Sequence, residues 1–225
     1  MSTPRPSDAA PTAPTGDALV LVPVKAFAVA KERLAGVLDR DERAGLAREL
    51  ATGVVRAAAP HDVAVVCDDD DVADWARSLG AAVSWQPGTG LNGALGSAYR
   101  DAGASGWRHI TVVHGDLAFP ASLSRLVTDS AASPGEMLLV ADRRRDGTNV
   151  MCAPTGHDLV FRYGAGSFAA HRAEAERLGL TAREHGDDHL AWDVDVPDDL
   201  TPPPALGPWP STVGPRSVGP QSVGP

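Results

Sequence analysis

His109-Ile110-Thr111-Val112-Val113-His114-Gly115-Asp116-Leu117 is an apolar β-type run that breaks on a glycine and an aspartate. A helical pattern over 92–102, closed by Gly103, comes before it, and Pro120 opens another that reaches about residue 132. The same alternation extends both ways. Strands are expected over 18–24, 63–67, 82–85, 137–141 and 149–153, with a short extended segment at 192–196. Further helices are expected over 39–59, where Asp39 and Glu42 can form a capping box, over 72–79 before Gly80, and over 167–178 before Gly179. Strands alternating with helices imply an α/β fold, a mostly parallel central sheet with helices on both faces. Ligands of such sheets bind beyond the carboxyl ends of the strands, which decides the loops to read for chemistry.

The bulk properties narrow the classes. In 225 residues, 43% are hydrophobic, enough for one domain with a sizeable core. A formal net charge of -9 argues against nucleic acid as a partner, because phosphate backbones need a basic surface. No apolar run approaches the roughly 20 residues of a membrane span. Cys67 and Cys152 lack metal-ligand spacing and fit free thiols in a reducing compartment, so the cytoplasm is expected. Residues 1–16 form a Pro/Ser/Thr/Ala-rich leader, and from Thr201 a Pro/Gly-rich tail repeats Val-Gly-Pro at 213–215, 218–220 and 223–225. Such repeats offer no core, so both ends are expected to be disordered and the folded domain to span 17–200.

Several strand-end loops carry groups suited to phosphate chemistry. Lys25 and Lys31 are the only lysines, and both follow the first strand. They read either as phosphate contacts or as solvated surface groups. Asp116 is placed either to hold a divalent cation or to cap the next helix. Asp193 and Asp195 are two apart in an extended segment and so face one side, where they could share an ion with Asp116. With Asp198 and Asp199 beside them, they could equally be an acidic exposed end. The loop Phe161-Arg162-Tyr163-Gly164-Ala165-Gly166-Ser167-Phe168 enters a helix; its glycines and free N–H groups suit an anion, or Ser167 is simply an N-cap. Asp146-Gly147-Thr148-Asn149 is a turn or a set of ligand contacts, with the turn favoured. The loop from Gln86 to Gly93, with Asn92 near the helix start, is a flexible connection or an embrace for a nucleoside. Arg143-Arg144-Arg145 reads as a solvated charge run before a triphosphate contact, and His171, one turn after Ser167, as a surface or packing residue before one that faces the anion site.

Together these stretches resemble the guanylyltransferases of deazaflavin coenzyme F-420 biosynthesis, a family that includes phospholactate and phosphoenolpyruvate guanylyltransferases. The matching residues are Pro23-Val24-Lys25 with Ala30-Lys31-Glu32-Arg33-Leu34; Gly115-Asp116-Leu117; Asp146-Gly147-Thr148-Asn149; the Phe161–Phe168 loop; and Asp193-Val194-Asp195 with Pro197. They occur in family order across 18–200. The resemblance implies a Rossmann-like, GT-A-like nucleotidyltransferase fold. It implies that Thr148, Gly164 and Ser167 hold a phosphorylated three-carbon acid, and that Asp116, Asp193 and Asp195 hold Mg2+. One departure stands out: Ala118 and Phe119 separate the Asp-Leu pair from Pro120, where the family usually places proline directly, and these two residues are candidates for the wall that tells one acid from another.

The expected activity is transfer of GMP from GTP to phosphoenolpyruvate, or to 2-phospho-L-lactate, with release of pyrophosphate. Lys25, Lys31 and Asp116 would be catalytic, and Lys25, Lys31, Arg33 and Asn92 would bind the nucleotide. The product would pass to a downstream deazaflavin transferase. Oligomeric state is open, a homodimer being one form. The alternatives are another acceptor, such as phosphoglycerate, a sugar phosphate or molybdopterin, or a GTP-binding module without catalysis.

Overall fold

The computed structural model describes residues 16–209. Most of the expected leader and all three Val-Gly-Pro repeats lie outside the described residues. Seven strands form one sheet in the order β3-β2-β1-β4-β6-β5-β7. They are β1 Ala18–Pro23, β2 Asp62–Cys67, β3 Ala82–Trp85, β4 His109–Val113, β5 Glu136–Ala141, β6 Thr148–Pro154 and β7 Thr181–Glu184. β1 is parallel to β2 and β4, β2 to β3, and β5 to β7. β6 alone runs antiparallel, to both β4 and β5, so the sheet is mixed.

Side-chain alternation along β1 sends Val20 and Val22 to one face and Leu19 and Leu21 to the other. The first face is covered by α1 Arg40–Ala57, α2 Asp70–Ser78 and α4 Leu123–Ala131, through Val54, Trp75 and Leu126. The second is covered by α3 Gly90–Ala104 and α5 Ser167–Arg177, through Leu95, Tyr99 and Phe168. The expected two-faced α/β layering is present. The capping box forms as its sequence predicts: Asp39 accepts from the Glu42 amide at 2.9 Å, and Glu42 accepts from the Asp39 amide at 2.9 Å.

Three features differ from the expectations. β7, Thr-Ala-Arg-Glu, is a polar edge strand recruited by parallel pairing with β5, and no apolar run announces it. The segment at 192–196 joins no strand; it pairs with the chain beyond β4, through the isolated bridge Leu117–Asp193 and the Ala118–Trp192 and Val194–Asp116 main-chain hydrogen bonds. The packed chain also continues past the expected boundary at Leu200. A turn at Pro204–Leu206 buries Leu206 in a third cluster with Leu34, Leu50, Phe119 and Val194, and Trp209 packs against the same group. Prolines exclude helix and strand continuation, but they do not stop a leucine and a tryptophan from docking.

Ending the chain after Leu200 should therefore destabilise it. Losing these two side chains removes burial worth about 3 kcal/mol, or roughly 5–12 °C in melting temperature for a domain of this size. Calorimetry on the shortened chain checks this. An unchanged melting temperature would show that the segment adds nothing.

Candidate active site

β1 hands the chain to two 3-10 turns, Phe27–Val29 and Glu32–Leu34. Between them Lys31 takes a left-handed backbone, φ 55°. That conformation is costly for a side-chain-bearing residue and persists only where its surroundings enforce it. Here Phe27 packs edge-on against Trp75 at 5.2 Å, and Leu34 is buried in the third cluster. The pinned backbone aims the Lys31 ammonium between two carboxylates, 2.7 Å from Asp116 Oδ2 and 3.1 Å from Asp195 Oδ1. Burial works against this charge, but Asp116 and Asp195 outweigh it and raise its pKa. Lys25 is exposed on the same cleft and has no partner among the described residues. Arg33 lies at the rim, 3.9 Å from Asp195.

The cleft has a volume of about 490 Å³. One end holds Lys31, Asp116 and Asp195; the other is bounded by Cys67, Asp68, Gln86 and Leu91. Its place, past the carboxyl ends of β1, β2 and β4, is where an α/β sheet binds ligands.

Asp193, only 8% exposed, is placed by the bridge to Leu117. Burial first, and then Asp116 and Asp195, push its pKa up to about 6. Asp116 Oδ1 and Asp193 Oδ1 are both buried without a hydrogen-bond partner. Orphaned carboxylate oxygens and uncompensated negative charge fit a hard divalent cation in donor type and in charge. Among the described residues, however, no three potential ligands stand grouped to hold an ion, and Lys31 takes the place between Asp116 and Asp195.

The 193–199 segment is not an acidic exposed end; it is anchored by Asp199. Asp199 is 0% exposed. Its Oδ1 accepts from Arg143 and, at 3.0 Å, from Arg144; its Oδ2 accepts from the Asp195 and Val196 amides, both at 2.8 Å. Burial opposes its charge, but these donors outweigh it and hold the carboxyl below its ordinary range. Arg143 also lies over the Trp192 ring at 4.6 Å. Arg143 and Arg144 are thus structural counter-ions and not a solvated run.

Thr148, Ser167 and Gly164 come together as expected, beside rather than within the cleft. Antiparallel β6 starts where β4 ends, and the His114 amide bonds to the Asn149 carbonyl at 3.0 Å. Thr148 and Ser167 are buried, with their hydroxyl oxygens 3.4 Å apart. Gly164 at φ 136° and Gly166 at φ 69° take backbones that favour glycine.

Four expectations need correction. The amides at the start of α5 are not an open anion cradle: Gly166 donates to both Asp146 carboxylate oxygens at 3.1 Å, Phe168 to the Asp146 carbonyl and Ser167 to the Gly164 carbonyl. The N-cap is Gly166, so Ser167 is the first helical residue with its hydroxyl turned inward. Asn92 does not present its amide to the cleft, since it both donates to and accepts from the Tyr163 main chain, at 3.0 and 2.8 Å. Ala118 and Phe119, considered as substrate wall, are buried in the third cluster under Leu206 and Trp209.

The chain is similar to known proteins in sequence and in fold. The model of the family described as guanylyl transferase CofC like matches residues 18–202. The chain belongs to that family. A phosphoenolpyruvate guanylyltransferase from Rubrobacter xylanophilus is 37% identical over 185 residues, covering 80% of this chain and 90% of the relative. One from Streptomyces coelicolor is 38% identical over 207 residues, covering 88% and 92%. In fold, the chain is similar to a protein from Desulfovibrio desulfuricans G20 described as a nucleotide-diphospho-sugar transferase, with TM-score 0.67, 18% identity and coverage of 83% and 85%. It is also similar to a nucleotidyl transferase from Methanothermobacter thermautotroptrophicus, with TM-score 0.55, 14% identity and coverage of 81% and 94%. Among the described residues no helix is long and apolar enough to cross a membrane.

The raised Asp193 gives a pH signature in metal-free protein. A folded pKa of about 6, against an ordinary 3.8, means that the folded state prefers the protonated acid. The stability it contributes is complete below about pH 4 and is lost as pH rises through about 6. Asp193→Asn should match the parent in acid and exceed it above pH 6 by on the order of 2 kcal/mol. Denaturation curves across that range measure this, and parallel curves would refute it.

Proposed function

We propose that this chain transfers the guanylyl group of GTP to phosphoenolpyruvate, with 2-phospho-L-lactate as the second candidate acid, and releases pyrophosphate. The observation that carries this reading is the junction of two sites at one edge of the sheet. A cleft with two lysines at its phosphate end adjoins a buried hydroxyl pair, Thr148 and Ser167, suited to a small anion. The relatives, phosphoenolpyruvate guanylyltransferases, supply the substrates of this reading.

An oxygen of the acid's phosphate attacks the α-phosphorus of GTP. The bond from that phosphorus to the bridging oxygen breaks, and pyrophosphate carries the electrons away. The attacking oxygen is already anionic, so no strong base is required. The protein's part is alignment and charge. Lys25 has no competing partner among the described residues and meets the triphosphate; Lys31 lines the same cleft, and Arg33 adds charge at the rim. Thr148, Gly164 and Ser167 hold the acid beside that end. Asp116, Asp193 and Asp195 would hold a magnesium ion, which supplies positive charge to the phosphate oxygens when bound. The product is a mixed diphosphate carrying guanosine, an activated donor suited to a later transferase acting on a deazaflavin, and this chemistry supports a role in coenzyme F-420 biosynthesis. The buried free thiols Cys67 and Cys152 support a reducing, cytoplasmic setting.

Product mass spectrometry after incubation with GTP, magnesium and the competing acids tests the reading. The guanosine–phosphoenolpyruvate diphosphate should dominate, and Asp116→Asn should cut its formation about a hundredfold or more with the melting temperature kept. Absence of any adduct and of pyrophosphate would leave only GTP binding and refute catalysis.

The far end of the cleft supports guanine. Asp68 lines it and makes no side-chain hydrogen bond among the described residues. A carboxylate there can accept from both N1–H and the 2-amino group. Asp68→Asn should lower kcat/KM for GTP about tenfold. It should raise that for xanthosine triphosphate, whose 2-oxo group accepts from the new amide. Unchanged selectivity between the two nucleotides would rule this orientation out.

A further inference from the structure

His171, on α5, is buried with 0% exposure and has both ring nitrogens engaged. The Arg162 amide donates to Nε2 at 3.0 Å, and Nδ1 lies 3.0 Å from the Thr148 hydroxyl oxygen. A backbone N–H can only donate, so Nε2 must carry the lone pair. Burial pushes the ring's pKa down to about 4, so it is neutral near pH 7 and its single proton sits on Nδ1. That proton is donated to Thr148. The Ser167 hydroxyl, 3.4 Å away, points its weaker donation at the same oxygen.

We infer that His171 is a positioning residue that makes the Thr148 hydroxyl an obligatory donor to the bound acid. With its oxygen accepting from Nδ1–H, Thr148 cannot give its own proton back to that nitrogen, and the hydroxyl rotor is left to donate to an anion. The order runs from the Arg162 amide to the His171 ring, from the ring to the Thr148 oxygen, and from the Thr148 proton to the acid. A threonine free to rotate could instead turn a lone pair toward the anion, which repels it. The Tyr163 ring, edge-on to His171 at 4.7 Å, holds the imidazole in plane with this path. The inference rests on the acid occupying the Thr148–Ser167 pocket.

Steady-state kinetics with both substrates on His171→Phe, His171→Asn and Thr148→Val, together with the double variant T148V/H171F, tests it. His171→Phe should raise the acid's KM roughly tenfold, the loss of one oriented hydrogen bond to a charged group. The GTP KM should hold. His171→Asn, whose amide N–H can stand where Nδ1–H was, should recover much of the loss. The double variant should be no worse than Thr148→Val alone. Nitrogen-15 NMR of the wild-type imidazole should show the Nδ1–H tautomer, a readout independent of activity. An Nε2–H tautomer, additive losses in the double variant, or equal rises in both KM values with a lowered melting temperature would overturn the inference. If Thr148→Val raises the acid's KM while His171→Phe does not, the positioning role alone fails. If Thr148→Val leaves the acid's KM untouched, the pocket assignment fails and the inference with it.

Discussion

Four carboxylates, Asp116, Asp193, Asp195 and Asp199, are drawn to one edge of the sheet, and their mutual repulsion must be offset for that edge to exist. Each is treated differently. Asp199 is wholly buried and takes two guanidinium groups and two backbone amides. Asp116 and Asp195 share the Lys31 ammonium. Asp193 has no countercharge among the described residues, and burial first, then Asp116 and Asp195, pushes its carboxyl upward. A buried ion is tolerable only when paired and hydrogen-bonded. Asp199 meets that condition within the protein; Asp193 does not, and Asp193 Oδ1 and Asp116 Oδ1 are both buried without a hydrogen-bond partner among the described residues.

The arrangement separates anchoring from chemistry. Arg143, Arg144 and Trp192 are committed to Asp199, and through it they hold the segment that carries Asp193 and Asp195. Asn92 is committed to the Tyr163 backbone and so fixes the glycine loop against α3. Asp146 caps that loop from the other side. Lys25 and Asp68 are left without such commitments among the described residues, and both line the cleft. A line of rings, His114 to Tyr163 at 4.9 Å and Tyr163 to His171 at 4.7 Å, links the end of β4 to the histidine that meets Thr148.

Much of this was legible in the residues. The alternation of apolar runs and capped helical patterns predicted the two-faced layering, because period and capping are local properties. The strand-end rule directed attention to Lys25, Lys31 and Asp116, and all three line one cleft. The misreadings share one cause. Arg143, Arg144 and Asp199 look like surface charge when counted along the chain, since nothing local shows that they neutralise one another over a gap of 56 or 55 residues. The helix start at Ser167 looks like an anion site until Asp146, twenty residues earlier, is found occupying the Gly166 amide. The Pro-rich stretch after Leu200 looks unable to pack until Leu206 meets Leu34 and Phe119.

The sequence by itself determined the local grammar: which segments extend, which coil into helices, where glycine permits a left-handed turn, and which loops carry carboxylates and amines. Only the tertiary structure decided which charges are spent within the protein and which remain for a ligand. It decided that β6 reverses, so that Thr148 starts beside the end of β4. It decided that His171 offers a proton to Thr148 and does not take one from it. The physical reason is that backbone preference and hydrophobic period act over a few residues. The fate of a charge or a hydroxyl depends on its dielectric surroundings and its partners, and these are brought together only when distant segments pack.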